Sequence, residues 1–425
     1  MINQYLLGWF TLIVVIFITL LIIKKNPITK NFLIVALFLR SLTTILGEFY
    51  ITLPGTGMDT YTYEQFAFTY SQTYKYNIIS QFLTGDSYFL SKFISIFYTI
   101  FDRSPMMANM LSVGFGIGSV FLIYRLTLIL WGNNTAVKAG WFVALFPSFI
   151  LYSSILMREV YVIFFLTYAL ITCIHFIDTN RFIYFVKAFF GFFLSALFHG
   201  PIILGFFIFL IFLFFKILKE NHYFIRFSKR KIYLIFILPL ILIPFVTYYL
   251  GYYSIPKLGS MKDFGYIKKD NLRYMTNSKQ PELKSFGQKI IWKVNKAASV
   301  CHFEKCEASY PSSTVPKDMI EMMYLTPIRM FYFLYAPFPW DIKSPKHLIG
   351  LFDAIFYIYL SICVFRNRKN LYENPKTRFL IFILISYIFV YSFGVGNFGT
   401  GIRHRLKFLV ILIAIAAPKL KKIKF

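Results

Sequence analysis

Eleven apolar runs constrain this chain more than any other feature. They cover residues 6–23, 32–51, 106–129, 139–157, 160–176, 182–198, 202–215, 232–251, 348–364, 379–393 and 406–417, and the stretches between them are repeatedly punctuated by lysine and arginine. Crossing the hydrocarbon core of a bilayer takes about 20 residues of helix. Most of these runs approach that length, and a helix satisfies its own backbone polar groups where no water is available. The chain is therefore expected to be an all-α, polytopic integral membrane protein with about eleven transmembrane helices. Its composition agrees: 58% of the 425 residues are hydrophobic and only 15% charged, with 53 Phe and 31 Tyr.

Short basic loops mark the cytoplasmic side of such proteins. By that rule Lys24-Lys25, residues 216–231, residues 366–378 and the basic tail after residue 418 lie inside. The N-terminus is then outside and the C-terminus inside. Three regions follow: 1–251, transmembrane, with a first outer loop at 52–104; 252–340, an extracytoplasmic loop and a re-entrant segment carrying Arg329, Pro337 and Pro339; and 341–425, again transmembrane. Within the first outer loop, residues 88–101 show helical apolar spacing interrupted by Lys92, which predicts an amphipathic helix lying on the membrane. The first run lacks a basic leader and a small-residue cleavage site, so no cleavable signal peptide is expected. No internal repeat is visible.

The net charge of +27 does not indicate a nucleic-acid partner, because the basic residues punctuate apolar spans and form no soluble basic domain. An anionic leaflet or an anionic lipid phosphate accounts for them better. Cys173 and Cys363 fall inside apolar runs and read as small hydrophobes. Cys301 and Cys306 flank His302, but their number and spacing fit no standard zinc motif, so a local disulfide is the better reading if that loop is outside. No metal and no cofactor are expected.

Under this topology the unusual polar residues gather on the outer face. Asp59 follows a glycine-rich turn, where it serves either as a base or in local backbone bonding. Arg158-Glu159 stands between two spans, either as a site wall or as a loop charge pair. His199 precedes Gly200-Pro201 and is a site residue or a helix terminator. Arg403-His404-Arg405 makes a short outer loop strongly basic, against the charge rule, which favours phosphate binding. Arg40 lies within the second run, as a further phosphate ligand, snorkelling, or paired with Glu48 about two turns away.

These residue types suit sugar transfer from a lipid diphosphate. Arginine holds a departing diphosphate bidentately and stays charged. A carboxylate or histidine takes the proton of the attacking hydroxyl. No G-x-x-x-x-G-K-[ST] or G-x-G-x-x-G loop is present, which speaks against a nucleotide-sugar donor. Catalytic candidates are accordingly Asp59, Glu159 and His199; substrate-binding candidates are Arg40, Arg158, Arg403, His404 and Arg405.

Three segments carry a family resemblance. Gly57-Met58-Asp59-Thr60-Tyr61-Thr62-Tyr63 resembles the G-x-D-x-x-x-Y segment of EpsG-like and Wzy-like polysaccharide polymerases. Met157-Arg158-Glu159 resembles their R-Q/E position, with Glu where Gln is usual, and the segment from Phe193 through His199 to Ile203 resembles their histidine segment. Similar runs occur in GT-C membrane glycosyltransferases, in which an acidic residue of the first outer loop is the base; Asp59 would take that role. The resemblance implies an O-antigen or capsule repeat-unit polymerase of the bacterial cytoplasmic membrane. Its partners would be undecaprenyl-diphosphate-linked oligosaccharide, membrane lipid and a chain-length regulator protein. The rival readings are a GT-C transferase of single sugars from polyprenyl phosphate, and a flippase or transporter of lipid-linked sugars.

Overall fold

The computed structural model describes residues 2–54, 59–83, 88–219, 308, 310–314, 316, 319–344 and 347–421. Most of these residues are helical. The first half comprises α1 (Ile2–Lys25), α2 (Lys30–Phe49), α3 (Tyr61–Thr73), α4 (Phe89–Phe101), α5 (Pro105–Trp131), α6 (Asn133–Ala144), α7 (Pro147–Ser153), α8 (Arg158–Thr179), α9 (Phe182–Phe198) and α10 (Leu204–Lys219). The second comprises α11 (Met319–Tyr335), α12 (Leu348–Arg366), α13 (Arg368–Glu373), α14 (Pro375–Gly394), α15 (Phe398–Leu406) and α16 (Leu409–Ala416).

Among the described residues six helices are long and apolar enough to cross a bilayer: Gln4–Lys25, Pro27–Phe49, Pro105–Trp131, Arg158–Thr179, Leu348–Arg366 and Pro375–Gly394. The run at 139–157 is not one straight span. Pro147 lacks the N–H that would continue α6, and α6 and α7 meet at 64°. The runs at 182–198, 202–215 and 406–417 are helical but short, and 232–251 lies outside the described residues, as do Cys301, His302 and Cys306.

Local signals set the helix ends. Ser104 accepts a bond from Met107 N at 3.1 Å with Pro105 behind it, so α5 starts there. Gly132, at φ +80°, separates α5 from α6, and Asn180, at φ +53°, ends α8. Gly191 lets α9 press on α8, since a Cβ there would sit 2.9 Å from Ala169 Cα, and Ser195 Oγ donates to Val162 O at 3.0 Å. Gly191→Val is expected to wedge the pair apart and cost about 1–3 kcal/mol, read as a lower unfolding temperature in detergent. An unchanged midpoint would contradict this close approach.

Buried arginines close the helix ends that fall inside the bundle. Arg40 donates from Nη1 to Ala144 O at 3.1 Å and from Nη2 to Val143 O at 3.4 Å, at the end of α6 where the helix breaks before Pro147. It is fully buried, lies over the Phe149 ring and does not pair with Glu48, which instead accepts from Asn109 Nδ2. Arg329 serves the end of α14 through Ser392 O at 3.1 Å and Val395 O at 2.9 Å. Arg405 donates to Leu334 O at 2.8 Å and Ala336 O at 2.6 Å, at the end of α11, and reaches Asp353 Oδ2 at 3.3 Å. Backbone that stops at membrane depth persists only when its polar groups find such partners. Arg405→Met is therefore expected to cost about 3–5 kcal/mol, with Arg405→Lys recovering only part because one ammonium lacks the planar fork. Thermal unfolding of the two variants checks this; a Met variant as stable as the parent would refute it.

The helix foreseen at 88–101 exists, but Lys92 is not at its surface. Lys92 is buried, with its ammonium 5.8 Å from the Tyr70 ring, while Phe89 packs edge-on against Phe198 at 5.0 Å. Ile100 and Phe101 at its end are exposed. Pro327 does not interrupt the segment at 327–340: α11 runs through it and ends at Tyr335, within the protein. Cys173 and Cys363 are buried free thiols.

Candidate active site

One end of the bundle collects the N-terminus of α8, the C-terminus of α9, the segment leading into α3, and α15. Asp59 pairs with Arg403, whose helix α15 is started by Asn397 Oδ1 accepting from Thr400 N at 2.7 Å. The Asp59 side chain is 47% exposed, so this pair stands at the mouth of the site. Beneath it Glu159, 2% exposed in the first turn of α8, faces Lys407 Nζ at 3.3 Å and Arg158 Nε at 3.8 Å. A carboxylate is favoured in that turn by the helix dipole.

Lys407 extends the cluster. Its Nζ lies 2.9 Å from His404 Nδ1, and His199 Nε2 lies 3.4 Å from the same nitrogen. Lysine paired with Glu159 offers N–H donors to its other neighbours. With Lys407 donating, His404 Nδ1 accepts and the ring carries its proton on Nε2; that one lone pair is then taken, and His199 Nε2 lies beside it. Tyr391 packs against both imidazoles, at 5.5 Å from His199 and 5.3 Å from His404.

Two guanidiniums, Arg158 and Arg403, and the buried Lys407 amine thus surround two carboxylates, Asp59 and Glu159. Burial pulls the Arg403 guanidinium down, but Glu159 and Asp59 outweigh it and hold the group above the ordinary arginine value. Burial pushes the neighbouring Tyr63 phenol up to about 12, against the pull of Arg158, so it stays protonated. Among the described residues Glu159 Oε2 has no hydrogen-bond partner. A cleft of about 310 Å³ adjoins the site, lined by Thr60 and Tyr61 beside Asp59, by Glu48 and Asn109, and by the segment leading to Arg158. Glu64 at its edge is held by Arg103 at 2.8 and 2.6 Å.

The structure therefore brings together Asp59, Arg158, Glu159, His199, Arg403 and His404. It separates Arg40 and Arg405 from them, since both guanidiniums are turned to backbone carbonyls. Residues two apart on a helix point about 200° apart, so Arg403 and Arg405 take opposite faces of α15. The same spacing could have found Lys407, which the sequence reading missed: it lies four residues after Arg403 and three after His404, on the facing side.

The arrangement of helices is one that has been seen before. The chain is similar in structure to the archaeal oligosaccharyltransferase AglB from Archaeoglobus fulgidus, solved in complex with an inhibitory peptide and a dolichol-phosphate. The TM-score is 0.52 at 14% identity, covering 93% of this chain and 50% of AglB. The chain thus spans about half the length of that protein. No family model and no curated protein matches its sequence. At this identity the likeness is one of fold. The six long apolar helices described above are in keeping with a polytopic membrane protein.

Proposed function

We propose that this protein is a membrane glycosyltransferase that polymerises undecaprenyl-diphosphate-linked repeat units at the outer leaflet of a bacterial cytoplasmic membrane. The observation that carries this reading is the half-exposed Asp59 paired with Arg403, beside the half-buried Arg158 and His404 and above the buried Glu159 and Lys407. A diphosphate needs several fixed cations, and a hydroxyl acceptor needs an accessible carboxylate. Both lie here within one site, and the fold resembles that of an oligosaccharyltransferase.

In this mechanism the donor diphosphate displaces Asp59 from Arg403 and is held by Arg403 and Arg158. Asp59, now free, accepts the proton of an acceptor-sugar hydroxyl seated in the adjoining cleft. The hydroxyl oxygen bonds to the anomeric carbon of the donor glycan, and the bond from that carbon to the diphosphate oxygen breaks. Undecaprenyl diphosphate leaves with the electron pair, and the cations stabilise its growing charge. Glu159 is too buried to reach a sugar; it fixes Arg158 and Lys407. Lys407 in turn keeps His404 a neutral donor, and His199 is oriented with it.

Sidedness follows from charge. At the opposite end of the bundle Asp178 meets Lys376 at 2.8 Å, and Asn367, within the basic 366–378 segment, donates to Ile415 O at 3.1 Å. That end takes the cytoplasmic side by the charge rule, within a scheme of about eleven spans that counts the short helices α9, α10 and α16. A chain-length regulator would be the protein partner of such a polymerase.

A second reading, transfer of single sugars from a polyprenyl monophosphate, draws on the likeness to a protein solved with dolichol-phosphate. Purified full-length protein supplied with each lipid donor separates the two. A ladder of repeat lengths from the diphosphate donor is expected. Single additions from the monophosphate donor would replace the polymerase reading, and lipid flipping in vesicles without glycan product would overturn both.

A further inference from the structure

Helix α11 does not reach the far end of the bundle. It stops at Tyr335, where Arg405 binds the carbonyls of Leu334 and Ala336, while α12 continues beyond that depth to Arg366. Beside this end, among the described residues, lies an open groove of about 600 Å³. Its walls are Phe331, Phe338, Ile358, Ile362 and Phe365, and its two polar wall groups bond to each other, Tyr335 Oη donating to Ser361 Oγ at 2.9 Å. The walls therefore ask for an apolar occupant.

The mouth is different. Arg366 and Arg368 line it and are exposed, and Arg368 is held there by donating to Phe365 O at 3.1 Å with its guanidinium 4.4 Å from the Phe365 ring. Both belong to the basic segment at the end opposite the candidate active site. Apolar walls ending in two arginines match a tail joined to a phosphate, which arginine forks bind well.

We infer that this groove is a binding site for one anionic phospholipid of the leaflet opposite the active site, its acyl chain under the end of α11 and its phosphate on Arg366 and Arg368. The lipid would fill the space left where α11 stops short, and so support the turn that Arg405 holds from the other side. It is not the donor lipid, whose phosphates would lie at the other end of the bundle, so the inference stands apart from the proposed activity.

Native mass spectrometry of the full-length protein, delipidated and then mixed with phosphatidylglycerol or phosphatidylcholine of identical chains, tests it. At about fivefold per basic side chain, wild-type protein is expected to retain one phosphatidylglycerol with a preference of roughly 30-fold. R366Q/R368Q should abolish the preference, whereas I362W, which fills the groove and keeps both arginines, should lose the lipid. Glycerol 1-phosphate should not displace it. Equal retention of the two lipids by wild-type protein would overturn the inference without any variant, and so would displacement by glycerol 1-phosphate, which would leave a surface phosphate site only. Retention of phosphatidylglycerol by both variants would do the same.

Discussion

Asp59→Asn is expected to lower glycan transfer by roughly 10²–10⁴-fold, the range for loss of a positioned general base. Donor binding should not fall with it. The carboxylate holds Arg403 before substrate arrives, so its loss leaves the guanidinium free for diphosphate, and the donor KM should stay level or drop. Arg403→Gln should behave oppositely on binding: donor KM rises and kcat also falls, by roughly 10²–10³-fold, because the leaving diphosphate loses an electrostatic partner. Arg403→Lys should restore only part, since an ammonium gives no bidentate grip. Initial rates against donor concentration for the three variants supply the comparison. Turnover by Asp59→Asn within threefold of the parent would remove Asp59 from the role of base. Parallel changes in KM for the Asp59 and Arg403 variants would contradict the exchange between carboxylate and diphosphate.

The second large effect concerns stability. Lys407 is fully buried and Glu159 is 2% exposed, so Lys407→Met takes from a buried carboxylate its nearest cation. Removing one partner of a buried pair costs about 3–5 kcal/mol, most of it the unanswered charge that remains. Glu159→Gln in the same chain removes that charge. The double variant is therefore expected to unfold at a higher temperature than Lys407→Met alone, with a coupling of about 1–3 kcal/mol in a double-mutant cycle. Additive losses would mean that the two side chains do not form the pair described here. Activity should remain low in the double variant even where stability returns, because His404 then lacks the donor that fixes its tautomer.

Much of this polar cluster was legible in the sequence. Asp59, Arg158-Glu159, His199 and Arg403-His404 stand out because each is a polar interruption beside an apolar run, and the charge rule alone puts them at one end of the bundle. What misled was adjacency. Arg403 and Arg405 look like one basic patch, yet one faces Asp59 and the other is buried between Ala336 and Asp353. Arg40 looked like a phosphate ligand because nothing in α2 reveals that α6 breaks off beside it, at the two carbonyls it binds. Lys407 stands inside the last apolar run, 406–417, where hydropathy alone gives it no role.

Hydropathy is a local property, and so the helical class, most of the membrane runs and the end at which the polar residues gather could be read from the order of residues alone. The partner of a charge is not local. Whether a buried arginine meets a carboxylate, a ligand or the open end of another helix depends on chain folded in from dozens to hundreds of residues away. Only the tertiary structure decided that Arg403 and Lys407 meet Asp59 and Glu159 while Arg40, Arg329 and Arg405 bind backbone carbonyls.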